Sequence, residues 1–140
     1  MSAQEKLQSQ ICFQFYTGSR LMQRMYRPYF DEWGITYPQY LVLLSLWERD
    51  HQTISEIGGP IDLDSGTLSP LLKRLEAAGL VRRQADKDDY RRVFFDLTPR
   101  AKRLQHKAEA MLQEVEATLG ITAEDIEILQ KVMGKVNSRE

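Results

Sequence analysis

The chain has 140 residues, 19 lysines and arginines against 20 aspartates and glutamates, and a single cysteine, Cys12. One domain with a real core is expected at this length, and the formal charge of −1 excludes a polycation. One cysteine excludes an internal disulfide framework and points to a reducing compartment, and no apolar run approaches the ~18 residues of a membrane span.

The opening residues lack a signal-peptide pattern, so a cytoplasmic location is expected. The charge is unevenly spread. Residues 73–103 hold 10 basic and 5 acidic side chains, and residues 109–140 hold 3 basic and 7 acidic. Such a run is usually a solvated face, but a basic middle with an acidic tail also fits a nucleic-acid-facing module joined to a part that faces away.

In chain order, residues 4–32 read as one long helix. Leu7, Ile11, Phe15, Leu21, Met22, Met25 and Tyr26 recur at three- and four-residue steps, with Gly18 a weak point and Pro28 a possible kink. Gly34 closes it. Thr36-Tyr37-Pro38-Gln39 reads as a capping box that opens a second helix, apolar almost all round and suited to the centre of a core. Thr53-Ile54-Ser55-Glu56 reads as a second capping box. The short helix it opens is expected to stop at Gly58-Gly59-Pro60.

Residues 62–98 are the segment around which the chain is organised. Asp62, Asp64 and Ser65 are each candidate N-caps. Leu68, Leu71, Leu72 and Leu75 give one buried stripe, and Gly79 supplies the stop. Ser65, Gly66, Thr67 and Ser69 are short. At a helix start they let the backbone approach a groove floor, and hydroxyls can reach bases or phosphates. Pro70 either costs a backbone bond inside the helix or begins its regular part. Lys73 and Arg74 lie off the stripe and, with Arg82, suit phosphate contacts.

Two short strands, 80–83 and 92–97, then flank a polar tip. A lone charged hairpin is usually just solvated. After a helix-turn-helix, the same hairpin can put an arginine, here Arg91, into the minor groove, with Asp89 near enough to brace it. Thr98-Pro99 opens a further helix with a heptad-like seam from Leu97 to Leu119, and Thr122 caps a last helix. The fold class expected is mainly α with a small β-wing, a winged helix-turn-helix over 36–97. The surplus apolar stripe of the helices at 4–32 and 98–139 suggests a dimer interface within a single domain, 1–140.

Three segments carry a family resemblance: TYPQYLVLL at 36–44, DLDSGTLSPLLKR at 62–74, and Asp89-Tyr90-Arg91-Arg92 running on to Leu97-Thr98. They resemble the MarR family of winged-helix regulators. The pattern Gln10-Ile11-Cys12-Phe13-Gln14-Phe15-Tyr16 resembles, within it, the branch of organic-hydroperoxide and thiol-based oxidation sensors. The resemblance covers nearly the whole chain. It implies a homodimer that represses genes at an inverted-repeat operator in double-stranded DNA, with organic hydroperoxide as signal and no membrane partner. It implies that Cys12 is the sensing thiol, that Tyr26 and Tyr37 of the facing subunit contact its thiolate, and that 65–74 and Arg91 face the DNA. With no second cysteine, a small thiol, a backbone sulfenamide or further oxidation would complete the switch.

The chemistry supports that role. The thiolate is the reactive form, tyrosine hydroxyls stabilise it, and a hydroperoxide oxidises it to a sulfenic acid. Against this stands the plain alternative of a small buried cysteine and core-edge tyrosines. Three other functions compete: a regulator answering a small aromatic ligand with Cys12 structural, a one-Cys thiol peroxidase, and a helical interaction module. His51 and His106 lack ligand spacing, so no metal and no cofactor are expected, and no enzyme activity.

Overall fold

The computed structural model describes residues 2–138. Among them are seven helices and one two-stranded antiparallel sheet. The chain divides into two units at His106–Lys107.

The first unit begins with α1 (Ala3–Gln8) and α2 (Ile11–Trp33). The single helix expected over 4–32 is therefore two helices. The break falls at Ser9 and Gln10. The Ser9 hydroxyl donates to the Lys6 carbonyl at 2.8 Å, and Gln10 is extended at φ −80°, ψ 120°. Serine competes with the helix for backbone groups, which is why it sits at an end. α2 then runs unbroken through Gly18 and Pro28 to Trp33, where Gly34 turns left-handed at φ 72°.

α3 (Tyr37–Glu48) starts with the expected box. Thr36 accepts from the Gln39 backbone, and the Gln39 side chain accepts in return from Thr36 N–H at 2.9 Å. α4 (Ile54–Ile61) departs from expectation twice. It does not stop at Gly58-Gly59-Pro60 but passes through them to a left-handed Asp62 at φ 54°. Pro60 lies next to the end, so its missing N–H costs the helix at most one bond. Nor is Thr53 to Glu56 a reciprocal box. Thr53 accepts from the Glu56 backbone at 3.3 Å, but the Glu56 carboxylate goes to Arg49 at 3.0 Å and Arg92 at 3.7 Å instead.

α5 (Ser65–Ala77) follows after three residues, with Pro70 accommodated inside it. The first glycine has a use here. A Cβ on Gly58 would lie 2.3 Å from the Leu63 carbonyl oxygen and 2.6 Å from Leu68 Cδ1, so the turn closes only over a bare backbone. The core of this unit is Val42, Leu43 and Leu46 of α3, Ile57 of α4, and Leu68, Leu72 and Leu75 of α5, each 1% exposed or less. Each contributes about 1.5–3 kcal/mol by leaving water.

The wing is β1 (Val81–Ala85) paired with β2 (Val93–Leu97), Arg83 opposite Phe95. Its inner strand is tied to the α3–α4 link. Gln52 exchanges backbone bonds with Phe95 at 3.2 and 2.8 Å, and Asp50 accepts from Leu97 N–H at 2.8 Å. Thr98 caps α6 (Pro99–Leu119) by accepting from Ala101 N–H, and donates to the Gly79 carbonyl at 2.7 Å.

In the second unit, Ala108, Met111 and Val115 of α6 are buried. Gly120 turns left-handed at φ 67°. α7 (Ala123–Asn137) opens with a Thr122–Asp125 box, and none of its residues is buried; Ile128, Leu129 and Val136 stand exposed. No helix among the described residues is long and apolar enough to cross a membrane.

Candidate nucleic-acid interface and cysteine site

Asp64, of the three candidate caps, opens α5. Its carboxylate accepts from Thr67 N–H at 2.7 Å, and that bond holds the carboxyl below its ordinary pKa of 3.8. The buried stripe Leu68, Leu72, Leu75 leaves the opposite side of the helix to solvent. Ser65, Gly66, Thr67, Pro70, Lys73 and Arg74 are all exposed there, and Ser69 is half-buried. A basic end and a short-residue start therefore share one exposed surface.

The wing adds to that surface. Arg91 is almost wholly exposed, yet its Nε donates to Asp89 Oδ1 at 3.2 Å. The tip is closed by Asp86 N–H on the Arg92 carbonyl at 2.8 Å and Arg92 N–H on the Asp89 carbonyl at 2.9 Å. Between wing and helices lies an open groove of about 450 Å³, whose lining includes Ser65, Arg83, Arg91 and Arg92. A second groove beside it is lined by Ser69, Lys73 and Arg83. Arg83 lines both, with Ser65 and Arg91 in the first groove and Ser69 and Lys73 in the second. Arg82 is exposed, but alternation along β1 sends it to the other face from Arg83.

Cys12 is exposed in the first turn of α2, beside Ile11 at 64% exposure. The same stretch leaves Leu7, Tyr16 and Leu21 at least half exposed. A buried packing role for Cys12 within its own chain is excluded by that exposure. Tyr26 stands fourteen residues further along the same helix, about 21 Å at 1.5 Å per residue. The sulfur and the Tyr26 hydroxyl of one chain cannot meet.

Tyr26 and Tyr37 do meet each other. Their rings are stacked 4° from parallel, centroids 6.4 Å apart. Tyr40 lies tilted against both, at 6.2 and 6.1 Å, and Phe30 completes the cluster. Trp33 packs on Phe30 at 6.0 Å and Trp47 meets Tyr40 at 6.2 Å, so the two tryptophans bracket the tyrosines. Burial pushes the Tyr37 phenol above its ordinary pKa of 10.0 and Tyr40 up to about 12. Both hydroxyls therefore keep their protons at neutral pH and can donate to an anion. Among the described residues no group of three histidines, cysteines or carboxylates could hold a metal.

The profile of the MarR family matches residues 35–93. The organic hydroperoxide resistance transcriptional regulator of Bacillus subtilis (strain 168) is 47% identical over 103 residues, 74% of this chain and 70% of that protein. The chain belongs to the MarR family. The HTH-type transcriptional regulator TtmR of Methylorubrum extorquens (strain PA1) is 44% identical over 121 residues, 86% of this chain but 62% of TtmR. Reduced AbfR of Staphylococcus epidermidis, solved bound to DNA, is 36% identical and superposes with a TM-score of 0.77 over 96% of this chain and 94% of its own. The relatives are named as transcriptional regulators, not as enzymes.

In this MarR-family chain, sequence reasoning missed Arg83, Arg92 and Glu56. Alternation from buried Val81 would have pointed Arg83 toward the helices. Nothing local signals that Glu56 holds an arginine from each side, because Arg92 comes from 36 residues away.

Proposed function

We propose that the protein is a homodimeric, DNA-binding transcriptional repressor whose hold on an inverted-repeat operator is released when an organic hydroperoxide oxidises Cys12. The observation that carries the reading is the separation of Cys12 from the Tyr26–Tyr37 pair. An exposed thiol and two stacked phenols are too far apart to serve each other in one chain. A second copy, covering the exposed apolar residues of α2, brings the thiol of one chain to the tyrosines of the other, and the exposed apolar face of α7 is a further surface for dimerisation.

The chemistry then balances. The Cys12 thiolate attacks one oxygen of ROOH. An S–O bond forms, the O–O bond breaks, ROH leaves with a proton, and sulfur is oxidised by two electrons to sulfenic acid. Condensation with a small thiol releases water and leaves a bulky mixed disulfide at the dimer seam. Such a group favours a dimer geometry other than the DNA-bound one, which couples the two sites. Ile11, Phe13 and Phe15, next to Cys12 at the start of α2, favour organic over hydrogen peroxide.

On the DNA side, Ser65, Gly66, Thr67, Ser69 and Pro70 enter the major groove, Lys73, Arg74 and Arg82 meet phosphates, and Arg91 braced by Asp89 reaches the minor groove. Two such surfaces require half-sites roughly 10 base pairs apart or a multiple of that. The names of the Bacillus subtilis regulator and of DNA-bound AbfR support both halves of the reading. The site of action is the cytoplasm.

A gel shift on DNA upstream of the protein's own gene tests the proposal, using reduced protein, hydroperoxide-treated protein, and Cys12→Ser treated alike. Tight reduced binding lost on oxidation in the wild type alone is expected. Binding indifferent to peroxide would replace the redox switch with a small-ligand signal, and no binding at low salt would overturn the DNA role.

A further inference from the structure

The aromatic cluster contains a hydroxyl that the described residues leave unused. Tyr40 is 2% exposed, and its Oη has no hydrogen-bond partner among the described residues. A buried hydroxyl without a partner costs free energy that phenylalanine, filling the same space, would not incur. Packing does not explain the oxygen: Phe30, Tyr26, Tyr37 and Trp47 already surround the ring at 5.0 to 6.2 Å. Its neighbours do. The ring touches the two tyrosines assigned to the thiolate, and their phenols are close enough that the charge either would carry on ionising opposes ionisation of Tyr40. Tyr40 therefore sits directly behind the pair and holds its proton.

Resting on the reading of Cys12 as an oxidation sensor, we propose that Tyr40 is a positioning residue for the sensing thiol. Its hydroxyl donates to the oxygens of the Tyr26–Tyr37 pair when these turn their own hydrogens toward Cys12 of the second copy. A phenol that accepts a hydrogen bond becomes a better donor, so the chain Tyr40 to Tyr37 or Tyr26 to thiolate is stronger than its last link alone. No proton changes owner. The effect is a thiol that reacts faster at neutral pH. The unpaired oxygen is thus spent on the anionic state of a site that forms only between two chains.

The test is Tyr40→Phe in the full chain, with Tyr26→Phe and Tyr37→Phe beside it. Four quantities are read: the urea midpoint, operator affinity of the reduced protein, the pH profile of Cys12 alkylation by iodoacetamide, and single-turnover oxidation by cumene hydroperoxide. For Tyr40→Phe the expected result is an equal or higher urea midpoint and unchanged operator affinity. The alkylation profile moves to higher pH and neutral oxidation slows by about threefold. An alkylation pH profile and oxidation rate equal to wild type, while Tyr26→Phe and Tyr37→Phe shift the one and slow the other, would overturn the role of Tyr40 and leave the sensor reading standing. A lowered urea midpoint with an unmoved pH profile would reduce Tyr40 to packing and overturn it equally. If none of the three variants moves the profile, the sensor reading itself fails and takes this inference with it.

Discussion

The Asp89 carboxylate holds Arg91 twice through one oxygen, accepting from its backbone N–H at 3.0 Å and from its Nε at 3.2 Å. Both side chains are substantially solvent-exposed, so this contact adds little to stability. What it fixes is direction. A guanidinium aimed before binding loses less rotamer freedom on entering a groove.

Two substitutions separate aim from charge. Arg91→Ala is expected to weaken operator binding by about 1–2 kcal/mol. Asp89→Ala keeps the cation and removes a like-charged neighbour of phosphate, so binding to scrambled DNA should tighten slightly while the operator-to-scrambled ratio falls. Fluorescence anisotropy with both duplexes at two salt concentrations reads this out. An unchanged ratio would show that the brace does not aim the arginine.

Gly58→Ala is expected to be severe. The new Cβ meets the Leu63 carbonyl oxygen at 2.3 Å, and that carbonyl belongs to the turn between α4 and α5 and cannot swing aside like a side chain end. A loss of about 3 kcal/mol is expected, read as a fall in the urea midpoint at constant slope. Gly59→Ala, where nothing lies within 4 Å, should be near neutral and serves as the control.

The cap of α5 gives a pH dependence with a definite sign. Asp64 has a folded-state pKa below 3.8, because the ionised form accepts from Thr67 N–H. A lowered carboxyl pKa stabilises the fold at pH values above the unfolded pKa, and the contribution fades as pH falls through the folded one. Asp64→Asn keeps a capping oxygen without titrating. Urea unfolding of both proteins, followed by circular dichroism across the acid range, isolates the titrating part. The advantage of the wild type over the variant should stay flat from about pH 5 to 7 and shrink as pH falls through and below 3.8. A difference constant through the acid range would contradict the cap assignment.

The dimer reading predicts that a charge on α7 separates the copies. Leu129 is 53% exposed and Ile128 57% exposed, so replacing either costs little within one chain. Leu129→Glu is expected to shift sedimentation equilibrium from dimer to monomer with helical content intact. Operator affinity should fall by about tenfold or more, since one half-site replaces two. A variant that stays dimeric would move the interface elsewhere.

Much of this fold is legible in local chemistry. Thr36 with Gln39, Thr122 with its first turn, and Gly34, Gly79 and Gly120 as left-handed stops are each decided over a short stretch of chain. The errors arise where a local rule meets tertiary demand. Gly58-Gly59-Pro60 looks like a breaker because glycine and proline usually are, yet close approach by Leu63 and Leu68 requires the first glycine, and the helix end tolerates the proline. Glu56 looks like a capping partner until Arg92 arrives from the wing. At the candidate site, the residue types are readable from the pattern, but the stacking of Tyr37 on Tyr26 is not, because it depends on how the start of α3 meets the later turns of α2.

The bracketing of the tyrosines by Trp33 and Trp47 makes the protein its own optical instrument. These are the only two tryptophans in the chain, so no distant indole dilutes their emission. Tryptophan fluorescence responds to the polarity and contacts of its immediate surroundings. Trp47 meets Tyr40 directly and Trp33 meets the cluster through Phe30, so a rearrangement of the cluster reaches each emitter by a different contact. Stopped-flow mixing of unlabelled protein with a hydroperoxide can therefore time the response of the aromatic cluster, without a dye to perturb it.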